Sequence, residues 1–167
     1  DFFVNKNIEF SINISASDIL DETTRKLILN NVKNFYNPKY IVFEILESEG
    51  INNFSEVISF IKTVKELGCK IAIDDFGSGY SNFERLSKLE IDYVKIDGSL
   101  IKNIDKDKNS QILVQMIVGF AKELGIKTIA EFVHSEDVFN KVKELGVDYA
   151  QGYYIGEPKP YLIDFKL

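Results

Sequence analysis

Two textures alternate along the chain. Short, nearly continuous apolar runs at 8–14 (IEFSINI), 40–46 (YIVFEIL), 70–74 (KIAID), 92–97 (DYVKID), 127–132 (KTIAEF) and 147–154 (VDYAQGYY) predict six β-strands. Between them, apolar residues recur at helical spacing. Residues 54–67 carry Val57, Ile58, Ile61, Val64 and Leu67, and the stretch after Asp105 carries Ile112, Leu113, Met116, Ile117, Phe120 and Leu124 along one side. Both stripes are expected to face the core. Only a short helix near 82–88 separates the third and fourth strands.

The tetrapeptide KELG closes a helical pattern three times, at 65–68, 122–125 and 143–146. Lysine in the last turn suits the helix dipole, and glycine just beyond it supplies left-handed C-cap geometry. A short strand follows each time and ends in a polar residue, giving a repeating unit of helix, glycine stop, strand and polar tip. Strict alternation of strand and helix implies a parallel sheet, either open or closed into a barrel. The tips Asn13, Glu44, Asp74, Lys95, Glu131 and Gln151 come from six different strands, and only a barrel gathers all six at one C-terminal mouth. The fold class read from the pattern is therefore α/β, a TIM-like (β/α) barrel with about six of its eight strands. Residues 1–167 are taken as a single domain lacking its first two strands, and a start at Asp1 rather than methionine leads to the same expectation.

Composition narrows the function classes. A chain of 167 residues that is 45 % hydrophobic can bury a sizeable core, and a formal net charge of -6 argues against nucleic-acid polymers as partners. The single cysteine, Cys69, excludes an intrachain disulfide and fits a reducing, cytoplasmic setting. The longest apolar stretch is too short to span a membrane, which leaves any anchor to segments upstream.

The chemistry lies at the strand tips. Asn13, Glu44, Asp74, Asp75 and Glu131 offer hard oxygen ligands of the type magnesium and manganese prefer, and no Cys/His cluster for zinc accompanies them. Packed together, the four carboxylates repel, so divalent cations are their natural partners. Two metals about 3.5–4 Å apart could activate water against a phosphodiester, with Lys95 orienting that water or neutralising charge. Asp74 and Asp75 would point to opposite faces of a regular strand, and the expected remedy is a turn permitted by Gly77 and Gly79. Each tip also has a plainer reading: Asn13 as a helix cap, Glu44 and Glu47 as solvated strand ends, Lys95 paired with Asp92 or Asp97, Gln151 satisfying loop backbone. His134 reads as a surface or helix-entry residue.

The ordered set FSINIS, FEILES, AIDDFGSGYS, YVKID, TIAEFV and YAQGYYIGEP resembles the EAL domain, a family that hydrolyses the bacterial second messenger cyclic di-GMP to linear pGpG with magnesium or manganese in a two-metal site. The resemblance implies that Asn13, Glu44, Asp74, Asp75 and Glu131 bind metal and that Lys95 and Glu131 act in catalysis. It further implies that Asp97 and Gln151 lie on the substrate side, and that Glu47 steadies the 76–81 loop, which couples the site to a homodimer contact. Sensory or cyclase-like domains are expected elsewhere in the parent polypeptide. The Glu-Ala-Leu segment that names the family is absent, Leu46 stands where threonine is usual, His134 where a second glutamate is common, and Glu157 where a basic residue is common. The alternative reading is a catalytically inactive receptor for cyclic di-GMP or a protein-interaction module.

Overall fold

A computed structural model of the chain describes residues 8–47, 54–79 and 83–160. The predicted runs form β1 (Phe10–Ile14), β2 (Ile41–Leu46), β3 (Lys70–Phe76), β4 (Tyr93–Ile96), β5 (Lys127–Ala130) and β6 (Tyr149–Ala150), all parallel and hydrogen-bonded in sequence order. The helices are α1 (Ala16–Leu20), α2 (Glu22–Asn34), α3 (Phe54–Glu66), α4 (Phe83–Leu86), α5 (Gly98–Ile101), α6 (Lys108–Glu123) and α7 (Glu136–Glu144). An open doubly wound sheet reverses its strand order at a switch point. This order never reverses, so the sheet is an arc of a TIM-like barrel. The arc is not closed: among the described residues β1 pairs only with β2, and β6 only with β5.

The core lies between the arc and its helices. Phe43, Ile45, Ile71, Ile73, Val94, Ile96 and Ala130 from the strands are buried with Val57, Phe60, Ile61, Val64, Val114, Ile117, Val138 and Val142 from the helices. Helix starts are set by their caps. Ser15 and Asp18 form a reciprocal capping box on α1, while Asp21, Asp107 and Ser135 cap α2, α6 and α7. The KELG stops behave as their composition dictates. Gly68, Gly125 and Gly146 have φ of 96°, 72° and 83°, and the next residue's N–H reaches back to Val64, Ala121 and Val142 carbonyls at 3.0, 2.9 and 3.1 Å. Cys69 follows the first stop, is buried, and burial pushes its thiol up to about 11.

An Asp-Tyr pair stands at the start of β4, and another at the start of β6. The Asp92 carboxylate accepts from Ile71 N at 2.9 Å and pairs with Lys65, and the Asp148 carboxylate accepts from Thr128 N at 2.9 Å and pairs with Lys127. Each aspartate therefore latches the base of its strand to the base of the preceding one and helps to fix the register that sets the height of the tips.

Three expectations need correction. β3 runs to Phe76 instead of ending at Asp74. The last strand shrinks to Tyr149–Ala150, because the backbone turns at Gly152 (φ 153°), where an added Cβ would lie 2.3 Å from the Val133 carbonyl oxygen. Most of the predicted α6 stripe is exposed: Ile112 54 %, Leu113 46 %, Met116 58 % and Leu124 44 %. The helix instead buries Ser110, Val114, Ile117 and Ala121, a face rotated by about one residue, or about 100°. The apolar arc is wider than the sheet can cover, and periodicity alone does not say which edge of a wide arc turns inward.

Candidate functional site

The adjacent acids of β3 meet through a bulge. Ile73 pairs with Val94 and Phe76 with Ile96, so Asp74 and Asp75 together face Lys95 alone. The extra residue is Asp75, at φ 55°, a left-handed conformation that aspartate enters more readily than most side chains. The turn expected at Gly77 and Gly79 thus occurs earlier, within the strand and on the acid itself. One oxygen each from Asp74, Asp75 and Glu131 then lie within 4.8 Å of one another.

Lys95 is the hub of this group. Its Nζ stands 3.0 Å from Glu44 Oε2, 2.8 Å from Asp74 Oδ1 and 3.0 Å from Glu131 Oε1, with only 6 % of the side chain exposed. The plainer pairing with Asp92 does not occur, since that carboxylate is held by Lys65. Burial alone would lower the Lys95 pKa, but the bonds to Asp74, Glu131 and Glu44 outweigh it and hold the ammonium above the usual lysine range. Burial raises the Glu131 carboxyl; Lys95 pulls it back, and Asp74 and Asp75 push it up again. Asp75 is also raised, by burial and by the neighbouring Asp74 and Asp97 against the pull of Lys95. One ammonium faces Glu44, Asp74, Asp75 and Glu131, which leaves a surplus of negative charge. Clustered oxygen donors with surplus charge fit a hard divalent cation.

Glu47, just past β2, accepts from Gly77 N at 3.3 Å and so links the loops after β2 and β3. Tyr80 and Ser81 of that second loop lie outside the described residues. Asp97 caps α5 through Ser99 N at 2.9 Å, and its negative charge is one of the causes that raise the Asp75 carboxyl. Asn13 is level with Glu44 in the β1–β2 register but exposed, while Ser15 rather than Asn13 caps the helix that follows. Gln151 is exposed at the tip of β6; its N–H bonds to the Ala130 carbonyl at 2.8 Å and its carbonyl accepts from Val133 N at 3.0 Å. His134 is exposed, with Nε2 2.9 Å from the Lys102 carbonyl. Sequence reasoning missed the bulge, although a doublet of acids inside an otherwise apolar strand was its signal. It also missed Phe132, a non-glycine residue at φ 57° directly after Glu131, for which the sequence carries no signal.

Known proteins resemble this chain over most of its length. The EAL domain profile matches residues 2–158. The chain is 36 % identical over 151 residues to the cyclic di-GMP phosphodiesterase PdeB of Shewanella oneidensis, covering 90 % of this chain and 18 % of that protein. Among solved structures, an EAL domain protein from Listeria monocytogenes superposes with a TM-score of 0.84 at 34 % identity, over 94 % of this chain and 63 % of that one. The Klebsiella pneumoniae BlrP1 complex with manganese and cyclic di-GMP superposes with a TM-score of 0.79 at 26 % identity, over 87 % of this chain and 38 % of that one.

Proposed function

The chain belongs to the EAL domain family, and from that premise we propose that it carries the metal and water side of a phosphodiesterase site that opens cyclic di-GMP to linear pGpG. The observation that carries the reading is the gathering of Glu44, Asp74, Asp75 and Glu131 around one buried ammonium at the C-terminal mouth of the arc. Charge that a single lysine leaves uncompensated favours the enzyme over a receptor or interaction module, since a receptor has no need of it. Asn13, Glu44, Asp74, Asp75 and Glu131 would hold the cations. Magnesium or manganese, when bound, polarises water and neutralises charge on phosphodiester oxygens.

The chain's own residues supply the rest. Lys95, fixed by three carboxylates, places positive charge beside the attacking water and offsets charge developing on the phosphate. Glu131, beside Lys95, takes the water proton; the water oxygen bonds to phosphorus, the P–O3′ bond breaks, and the departing 3′ oxygen takes a proton from solvent, to which Glu131 afterwards returns its own, giving a 5′-phosphorylated linear dinucleotide. Asp97 and Gln151 lie toward the substrate, and Glu47 steadies the Gly77 loop. The open edge of β1, with the exposed Ser11, Ile12 and Asn13, supports pairing with a further strand in the intact domain. The same reading includes a homodimer, a cytoplasmic site of action, and sensory or cyclase-like domains in the parent polypeptide; no helix of the described residues is long and apolar enough to cross a membrane.

The test is chromatographic detection of product from the intact protein with cyclic di-GMP in magnesium, manganese, calcium or chelator. The reading expects pGpG with the first two and little with calcium, whose longer and looser coordination suits this chemistry poorly. Equal turnover in chelator contradicts it.

A further inference from the structure

Among the described residues two non-glycine positions are left-handed: Asp75, which forms the bulge, and Phe132 at φ 57°. Phenylalanine has no short polar side chain to stabilise that conformation, so the position is strained. It is not strained for the sake of burial, because Phe132 is 57 % exposed. Nor does the turn require an aromatic residue, since glycine or asparagine would adopt it with less strain.

The ring is nonetheless held in place. A Cβ on Gly98 would lie 2.9 Å from Phe132 Cβ and 3.5 Å from its Cγ, so the ring rests where Gly98 leaves room. The His134 ring meets it nearly perpendicular, at 5.6 Å and 82°, and His134 is itself tethered to the Lys102 carbonyl at 2.9 Å. The next residue, Val133, is bonded through N to the Gln151 carbonyl and through O to Tyr154 N, at 3.0 and 3.1 Å, which pins the rim between β5 and β6. A fixed aromatic ring with one side in solvent therefore stands on the barrel rim, one residue from Glu131.

We propose that Phe132 is a specificity residue on whose open face a purine base of the cyclic dinucleotide stacks, an inference that rests on the substrate proposed above. A flat apolar surface with a restrained orientation suits a planar heteroaromatic base, and stacking next to the acidic centre anchors the ligand without touching its phosphates. Phe132 then sets affinity, while the rate once substrate is bound is left to Lys95 and the carboxylates.

The experiment measures cyclic di-GMP binding to the intact protein in calcium, and KM and kcat in manganese, for Phe132→Gly, Phe132→Leu and Phe132→Tyr. Removing a base–aromatic stack weakens binding by about 5- to 150-fold. That loss is expected for Gly and Leu in both Kd and KM with kcat retained, whereas Tyr, which keeps the ring, binds as the parent does. Leu is as strained as Phe at this φ, so it separates the ring from the backbone, and it decides the matter if the Gly variant folds poorly. Binding by Phe132→Leu equal to the parent, or a fall in kcat at unchanged KM, overturns the stacking role alone. An unaltered protein that binds no cyclic di-GMP overturns both this inference and the function it rests on.

Discussion

Replacing Lys95 by methionine keeps the length of the apolar stem and removes the ammonium that three carboxylates share. Its Nζ lies 2.8–3.0 Å from Glu44, Asp74 and Glu131, whose side chains are 13 %, 16 % and 19 % exposed. Breaking a buried ion pair by deleting one partner costs about 3–5 kcal/mol, because the remaining charge is stranded. These carboxylates retain some water, so a loss of about 3 kcal/mol at pH 8 without metal is expected. For a chain of this size that corresponds to a fall in Tm of about 6–12 °C. The loss should depend on pH. Glu131 and Asp75 already sit above their usual values through burial, so the folded state holds their protons more tightly than the unfolded state does. Their charging therefore destabilises the fold as pH rises through the raised folded values, and the penalty vanishes below the unfolded ones. Without Lys95 that window widens, so the difference between variant and parent is largest at pH 8 and smallest near pH 4. Thermal unfolding of both proteins across that range, in chelator, measures it. A pH-independent difference, or none at pH 8, would refute the view of Lys95 as the counter-charge of the cluster.

Two further substitutions test the frame around the site. Gly152→Ala places a methyl group 2.3 Å from the Val133 carbonyl oxygen at φ 153°, so urea unfolding should show a loss of about 2–4 kcal/mol; a neutral result would mean that the rim between β5 and β6 is not closely packed. Asp148→Asn tests the latch at the base of β6: burial raises this carboxyl, but Lys127 and Thr128 outweigh it and leave it depressed. Its stabilisation is present above the ordinary aspartate value of about 3.9 and is lost as pH falls through the lower folded value, so the variant should be less stable at pH 7 and show a flatter acid limb in unfolding titrations.

The strand order and the polar tips were legible because both follow from local chemistry. Apolar runs, KELG stops and one polar residue near each run's end repeat often enough to define the barrel arc; Glu131 and Gln151 directly follow β5 and β6, whereas Asn13, Glu44, Asp74 and Lys95 lie within β1, β2, β3 and β4. What was not legible depends on neighbours distant in sequence. The bulge that aims both Asp74 and Asp75 at the centre exists only in the pairing of β3 with β4, and a strand read alone has no register. The buried face of α6 was misjudged for the same reason: Ile112, Leu113 and Met116 are as apolar as Val114 and Ile117, and only packing against the sheet selects among them. The choice of partner for Lys95 needed three dimensions too, since Asp92 and Asp97 are nearer in sequence than Glu44, Asp74 and Glu131.

The central claim is that the strand-tip carboxylates form a divalent-metal centre. Manganese binding to the intact protein, followed by the loss of the free-ion electron paramagnetic resonance signal, tests it most directly. Saturable binding by the parent, abolished when Asp74→Asn and Glu131→Gln are combined in a protein that still unfolds cooperatively, is the predicted result. Manganese binding of equal strength by the parent and the double variant would contradict it.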